Sequence, residues 1–126
     1  MPLTVFLVED NPAIRDVLIP ALRDLGQSDV LASAESQGEA IDWLASHKGC
    51  LNLAIVDFYL KEGSGLGVVQ WCKERDRGQH VVVLTNSATP ARRSACEQAG
   101  ADAVFDKANE LEEFFDYCLE LAEQSQ

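Results

Sequence analysis

Residues 53–67 read LAIVDFYLKEGSGLG, an apolar run that ends abruptly on a carboxylate. The residues from Leu53 to Val56 are all apolar, as in a strand that is buried on both faces of a parallel sheet. Asp57 follows directly, and the glycine-rich segment at residues 61–65 is typical of a turn. Because an isolated carboxylate is costly to bury, Asp57 requires a compensating partner at the end of this strand.

Four other short runs have the same apolar, β-branched character, and stretches with helical spacing separate them. The five predicted strands are residues 4–8, 29–32, 51–56, 81–84 and 103–105. Apolar residues spaced i, i+3, i+4 and i+7 predict helices over residues 14–25 and 111–122. Weaker helical patterns cover about residues 36–46, 65–75 and 89–99. Strands that alternate with helices predict βαβ units and a parallel sheet.

Length and composition indicate one folded domain, which we expect to span residues 1–126. The net charge of −11 opposes binding to phosphate backbones, so no nucleic-acid partner is expected. No basic leader precedes an apolar segment, and no apolar run approaches the roughly 20 residues of a membrane span. The 4 cysteines lack metal-site spacing. We therefore expect a cytoplasmic protein with reduced thiols and no membrane partner.

Several predicted helices carry recognisable end signals. Asn11 and Thr89 each precede a proline and are candidate N-caps, and Ser64 is a candidate cap of the third helix. Gly26 and Gly100 fall where the first and fourth helices are expected to stop. These signals place the loops that follow the strands.

Polar residues follow four of the five predicted strands. They are Glu9, Asp10, Asp57, Thr85 and Lys107. In open α/β sheets, ligands bind outside the carboxyl ends of the strands, where the strand order reverses. We therefore expect these side chains to converge at one edge of the sheet.

Three of these residues are acids that would lie within a few ångströms of one another. Two like charges at 4 Å repel by about 4 kcal/mol at an effective dielectric constant near 20. A cluster of Glu9, Asp10 and Asp57 must therefore bind a cation, take up protons or remain strained. Mg²⁺ is the natural cation because it prefers oxygen ligands. Taken singly, Glu9 and Asp10 could equally begin the next helix, and Asp57 could cap its strand.

The combination resembles the receiver domain of two-component response regulators, and the resemblance covers the whole chain. The matching segments are VFLVEDNP (5–12), IVDFYLKEGSGLGV (55–68), VVVLTNSA (81–88) and GADAVFDK (100–107). Each segment alone is weakly specific, since an apolar run ending in Asp also occurs in nucleotide hydrolases. The resemblance implies a three-layer α/β/α fold: a doubly wound, five-stranded parallel sheet of order 2-1-3-4-5, flavodoxin-like.

The resemblance also implies a function as a phosphoryl-accepting switch. Asp57 would attack a phosphohistidine on a sensor histidine kinase or a histidine phosphotransfer protein, giving an aspartyl phosphate. The chain would promote its own phosphorylation and dephosphorylation, with no separate substrate turned over. Output would be through binding of an unknown downstream protein.

Specific site roles follow from the same resemblance. The implied Mg²⁺ ligands are Glu9, Asp10, Asp57 and the backbone carbonyl of Tyr59. Lys107 would pair with one phosphoryl oxygen, and the Thr85 hydroxyl would bond to another. Gly63, Ser64 and Gly65 are interpreted as turn residues and nothing more.

Some positions depart from the family pattern. Ala108 stands where the family usually has proline after the lysine, and Val104 stands where it usually has an aromatic residue. An aromatic switch is therefore either absent or moved to Phe105. The acid pair is Glu-Asp instead of Asp-Asp, and the longer arm of Glu9 can reach a cation through water.

Two other functions remain open. A pseudo-receiver would use the same fold as an interaction module without phosphorylation, and Val104 and Ala108 leave this possible. A Mg²⁺-dependent phosphatase with an aspartyl nucleophile would need an acid two residues after Asp57, where this chain has Tyr59.

Overall fold

The computed structural model describes residues 2–47, 49–76 and 78–124. Within these residues it contains a five-stranded parallel sheet of order β2-β1-β3-β4-β5 and five helices. The elements in chain order are β1 Leu3–Val8, α1 Pro12–Gly26, β2 Ser28–Ala34, α2 Gln37–Ser46, β3 Leu53–Asp57, α3 Gly65–Trp71, β4 His80–Thr85, α4 Pro90–Ala99, β5 Ala103–Asp106 and α5 Leu111–Gln124. The predicted doubly wound fold is confirmed.

The sheet separates two apolar cores. On one face, α1 and α5 pack against the sheet with buried residues such as Leu22 and Phe114. On the other face, α2, α3 and α4 contribute residues such as Leu44, Val69 and Cys96. Burying a side chain of this size stabilises the fold by about 1.5–3 kcal/mol. The two cores cover both faces of the sheet and so determine where its carboxyl edge lies.

Strand register brings the carboxyl ends of the strands to the same level. Val8 pairs with Val56, so Glu9 and Asp57 follow neighbouring positions of β1 and β3. Asp57 in turn pairs with Leu84 at the end of β4. The strand order places β1 beside β3 at the point of reversal, and the predicted site residues therefore meet there.

The predicted N-caps are confirmed. The side chains of Asn11, Ser64 and Thr89 each accept a hydrogen bond from a backbone N–H two or three residues ahead. Ser36, which was not predicted as a cap, does the same for α2. Gly100 ends α4 in the left-handed conformation, with φ 117°. These contacts are local in sequence, which is why they could be predicted.

The expected stop of the first helix at Gly26 is confirmed, because α1 ends at that residue, but the left-handed backbone lies one residue further on. Helix α1 includes Gly26, and Gln27 is the residue with left-handed backbone, at φ 49°. Gly26 is buried, and a Cβ there would lie 3.2 Å from Cys118 Cβ of α5. The glycine is explained by close packing of α1 against α5.

Two expectations about the helices need correction. Helix α3 ends at Trp71 and does not continue to residue 75. On α1, Val17 and Leu25 belong to the apolar pattern but are 72% and 55% exposed. The buried face of α1 therefore includes fewer residues than the apolar stripe in the sequence, and Leu18 and Leu22 are the stripe residues that lie in the core. None of the described helices is long and apolar enough to cross a membrane.

Candidate functional site

Three carboxylates converge at the carboxyl edge of the sheet. Glu9, Asp10 and Asp57 each offer an oxygen atom, and these atoms all lie within 4.8 Å of one another. The side chain of Glu9 is 2% exposed and that of Asp57 is 13% exposed. Carboxylates this close repel strongly unless a cation lies among them.

Lys107 supplies part of the compensating charge. Its Nζ lies 2.7 Å from Glu9 Oε1 and 3.0 Å from Asp57 Oδ2. Burial lowers the pKa of Lys107, but the hydrogen bond to Glu9 and the charge of Asp57 outweigh burial, so the net shift of this pKa is upward. Lys107 is therefore a stable ammonium, and the site keeps two uncompensated negative charges.

Backbone contacts hold Glu9 in place. The Glu9 N–H donates to Ala34 O of β2 over 3.0 Å, and Glu9 O accepts from Arg15 Nη1 over 2.7 Å. The Asn11 N–H donates to Glu9 Oε2 over 3.2 Å. Arg15 also donates to Glu35, which pairs with Lys61 of the β3–α3 loop. These polar links connect three loops around the acid cluster.

The glycines after Asp57 do more than form a turn. A Cβ on Gly65 would lie 2.0 Å from the backbone oxygen of Asp57, closer than any real contact. The Gly65 N–H donates to Phe58 O over 3.0 Å and closes the loop. Gly63 has φ +76°, and a Cβ there would meet the Gln37 side chain at 2.4 Å. Gly65 therefore allows the loop to fold back directly against the acid site.

Thr85 is fully buried at the end of β4. Its hydroxyl oxygen accepts a hydrogen bond from the Ser87 N–H over 3.3 Å. Its carbonyl accepts from the Lys107 N–H over 2.8 Å. Thr85 thus connects the loop after β4 to the residue that carries the ammonium.

The two departures in the β5 region have structural consequences. Val104 is buried on the face covered by α4, whereas Phe105 contacts Phe114 and Tyr117 with ring centroids 5.7 and 5.6 Å apart. The aromatic ring of Phe105 therefore packs against α5, away from Val104. The Ala108 N–H donates to Asp106 Oδ1 over 2.8 Å, a bond that proline could not make.

Sequence reasoning missed Arg92 and Arg93 in the first turn of α4. Arg92 Nη2 lies 2.5 Å from the Tyr59 hydroxyl, and Arg92 Nη1 donates to Ser87 O over 2.7 Å. Arg93 donates to Ala88 O and Val104 O and pairs with Glu110. A signal was present, because cations are unfavourable at a helix N-terminus and two adjacent arginines there require other contacts.

The chain belongs to the response regulator receiver domain family, which matches residues 5–118. As a receiver domain of two-component systems, it is a phosphoryl-accepting signalling switch that works with histidine kinase or phosphotransfer partners. It is 28% identical over 120 residues to the polar-differentiation response regulator DivK of Brucella anthropi, covering 92% of this chain and 93% of that protein.

Solved structures share this fold. The receiver domain of NarL from Mycobacterium tuberculosis has a TM-score of 0.82 at 20% identity, covering 97% of each chain. The receiver domain of the sensor histidine kinase PA1611 from Pseudomonas aeruginosa PAO1 has a TM-score of 0.72 at 22% identity, covering 95% of this chain and 99% of that one. The latter structure is described with a magnesium ion coordinated in its active site cleft.

The residues present fit a magnesium ion. The donor set consists of three carboxylates, the hard oxygen ligands that Mg²⁺ prefers. The site carries two uncompensated negative charges after pairing with Lys107, which matches one divalent cation. Receiver domains bind Mg²⁺ at an acidic site, and the cluster of Glu9, Asp10 and Asp57 is consistent with that property.

Proposed function

We propose that Asp57 is the phosphoacceptor of this receiver domain. A carboxylate oxygen of Asp57 attacks the phosphorus of a phosphohistidine on the partner, and a new O–P bond forms. The N–P bond breaks, its electron pair returns to the imidazole nitrogen, and that nitrogen takes up a proton. Hydrolysis reverses the modification: water attacks phosphorus, the O–P bond to Asp57 breaks, and inorganic phosphate leaves. The chain thus promotes both steps on itself without a separate substrate.

The observation that carries this proposal is the position of the Asp57 carboxylate between the Lys107 ammonium and two other carboxylates. Its Oδ2 lies 3.0 Å from Lys107 Nζ. One of its carboxylate oxygens also lies within 4.8 Å of a carboxylate oxygen of Glu9 and of Asp10. A phosphoryl group on Asp57 would bring further negative oxygens, for which Lys107 is already positioned. A carboxylate beside a preorganised cation is the arrangement that phosphoryl transfer requires.

Glu9, Asp10, Asp57 and the backbone carbonyl of Tyr59 are the proposed protein ligands of Mg²⁺. Bound magnesium supplies charge that offsets the phosphoryl oxygens. Glu9 already accepts from Lys107 and Asn11, so we propose that it acts on the ion through water. Asp10 is half-buried and is the proposed direct ligand beside Asp57.

Thr85 is the proposed conformational sensor. Its hydroxyl accepts from the Ser87 N–H, and its movement toward a phosphoryl oxygen on Asp57 would exchange this contact for another. The loop that carries Ser87 and Ala88 would then shift together with the start of α4. Phosphorylation would change the population of two packings of this surface, and a downstream protein would recognise one of them.

Incubation with Mg²⁺ and acetyl phosphate tests the proposal. In this reaction the Asp57 oxygen displaces acetate from phosphorus, so no partner kinase is needed. We expect intact-mass spectrometry to detect one added phosphoryl group on the wild-type protein and none on Asp57→Asn. Asp24→Asn, an exposed acid of α1, is the matched control and should be modified like the wild type.

Two outcomes would contradict the proposal. A wild-type protein that stays unmodified while it binds Mg²⁺ would indicate a pseudo-receiver. Modification of Asp57→Asn to the same extent as the wild type would place the phosphoryl group on another residue. The phosphatase alternative has less support, since the Tyr59 hydroxyl contacts the Arg92 guanidinium and Tyr59 supplies no carboxylate.

A further inference from the structure

Arg92 makes an unusual set of contacts for a residue at the start of a helix. Its guanidinium carbon lies 4.7 Å from the centre of the Phe58 ring and 4.9 Å from that of the Tyr59 ring. One nitrogen donates to the Tyr59 hydroxyl over 2.5 Å, and another donates to Ser87 O over 2.7 Å. Two aromatic rings, one hydroxyl and one carbonyl thus surround a single side chain.

The two loops that Arg92 joins both begin at the acid site. Tyr59 lies two residues after Asp57, and its N–H points to Asp57 Oδ1 at 3.4 Å. Ser87 lies two residues after Thr85, and its N–H donates to the Thr85 hydroxyl over 3.3 Å. Each loop residue therefore contacts the site through its N–H and Arg92 through another atom. The guanidinium spans the gap between the β3–α3 and β4–α4 loops.

Position and charge argue against a merely incidental contact. A cation in the first turn of α4 is disfavoured by the helix dipole. Stacking on aromatic rings and hydrogen bonds to a hydroxyl and a carbonyl offset that cost. Tyr59 is 60% exposed, so the core does not hold its ring, which contacts the Phe58 ring edge-on and the Arg92 guanidinium. Of these contacts, only the one with Arg92 ties the ring to the β4–α4 loop.

We propose that Arg92 is a positioning residue for phosphoryl transfer, which holds Tyr59 against the β4–α4 loop and so restricts access of water and small phosphodonors to Asp57. This inference rests on the proposed function of Asp57. When the link opens, both the attack of the Asp57 carboxylate on the phosphorus of a donor and the hydrolysis of the aspartyl phosphate become faster. The rates follow the fraction of molecules in which the link is open.

Variants of the two linked residues test the proposal. Loss of an exposed charged hydrogen bond and a cation–π contact changes such an equilibrium by about three- to tenfold. We expect Arg92→Ala to accelerate both phosphorylation by acetyl phosphate and dephosphorylation after donor removal by that factor. Arg92→Lys keeps the charge but not the fork of donors, and its rates should lie between those of Arg92→Ala and the wild type.

Tyr59 supplies a second arm of the same experiment. If Arg92 acts through Tyr59, the double variant Tyr59→Ala with Arg92→Ala should dephosphorylate at the same rate as Tyr59→Ala alone. Arg23→Ala is the matched control, because Arg23 is an exposed arginine of α1 that pairs with Asp29. Its rates should equal those of the wild type. Melting temperatures of all variants should stay close to one another.

A readout without phosphate separates this inference from the proposed function. In the metal-free protein, ring currents of Phe58 and Tyr59 should displace the Arg92 Nε–Hε resonance, and Tyr59→Ala should move it. An unmoved resonance would overturn the link itself. Absence of phosphorylation in the wild type would overturn the function of Asp57, whereas normal phosphorylation with unchanged rates in Arg92→Ala would overturn the role of Arg92 alone.

Discussion

Lys107 and Glu9 are 98 residues apart in the sequence, yet their side chains form a buried ion pair of 2.7 Å. The pair joins the ends of β5 and β1 across the neighbouring acid Asp57. Because Lys107 also contacts Asp57, one ammonium stabilises two carboxylates that would otherwise repel each other.

Removal of the ammonium should destabilise the metal-free protein. Lys107→Met leaves Glu9 and Asp57 as uncompensated, buried carboxylates, and we expect the free energy of unfolding to fall by about 3 kcal/mol. Urea denaturation in the presence of EDTA measures this difference. Saturating Mg²⁺ should reduce it, because the cation replaces the missing positive charge. Lys73→Met, at an exposed lysine, is the control, and an equally stable Lys107→Met would refute the prediction.

Neutralisation of Asp10 should weaken magnesium binding. Asp10→Asn removes one of the three clustered charges, and at short range one charge is worth several kcal/mol at an effective dielectric near 20. We therefore expect a rise of roughly tenfold or more in the Mg²⁺ dissociation constant measured by titration calorimetry. Asp24→Asn should bind Mg²⁺ like the wild type. Unchanged affinity in Asp10→Asn would exclude Asp10 as a ligand.

A methyl group at Gly65 should disrupt the loop after β3. The Cβ of Gly65→Ala would lie 2.0 Å from the Asp57 backbone oxygen, so the backbone must move. We expect a loss of about 3 kcal/mol in stability, the upper range for overpacking, together with weaker Mg²⁺ binding.

Gly38→Ala is the matched control for this substitution. Nothing lies within 4 Å of a Cβ at that position of α2, and the better helix propensity should stabilise the protein by about 0.5–1 kcal/mol. Thermal unfolding distinguishes the two variants. The prediction would be wrong if both alanines changed the melting temperature in the same direction.

Acid should weaken the ion pair between Arg93 of α4 and Glu110, the residue before α5. The hydrogen bond from Arg93, and next the one from the Asp106 N–H, lower the pKa of Glu110 from its ordinary 4.5. A lowered pKa in the folded state contributes stability above the unfolded pKa, and this contribution is lost as pH falls through the folded pKa. Wild-type stability should therefore decrease below about pH 4.5.

Glu110→Gln tests the origin of that decrease. Glutamine does not titrate, so the variant should be less stable than the wild type near neutral pH, and the two stability curves should approach each other in acid. Urea denaturation across the pH range measures both curves. Parallel curves would show that Glu110 contributes nothing to the pH dependence.

Local features of the sequence were predicted correctly because their partners lie nearby in the chain. Asn11, Ser64 and Thr89 cap helices by accepting from N–H groups two or three residues ahead. Strand positions were recognised from continuous apolar runs, which double-sided burial produces. The acid site itself was foreseeable because parallel strands carry their carboxyl ends to one edge.

Other features could not be predicted, because they depend on contacts with residues from a distant part of the chain. Gly26 allows α1 to pack closely against Cys118 of α5. In the sequence, a glycine at a helix end looks the same whether it ends the helix or makes room for a neighbouring helix. Val17 and Leu25 match an apolar stripe, but only the placement of α1 against the sheet decides which of its apolar residues are covered. Spacing alone carries no information about that rotation.

By itself, the amino-acid sequence determined the order of strands and helices, the caps between them and the acids, hydroxyl and lysine that follow the strands. Only the tertiary structure decided that Lys107 bonds to both Glu9 and Asp57, and that Arg92 reaches Tyr59 and Ser87. The physical reason is range. Hydrogen bonds within a turn depend on neighbouring residues, whereas contacts between loops depend on how two separate cores position the whole sheet.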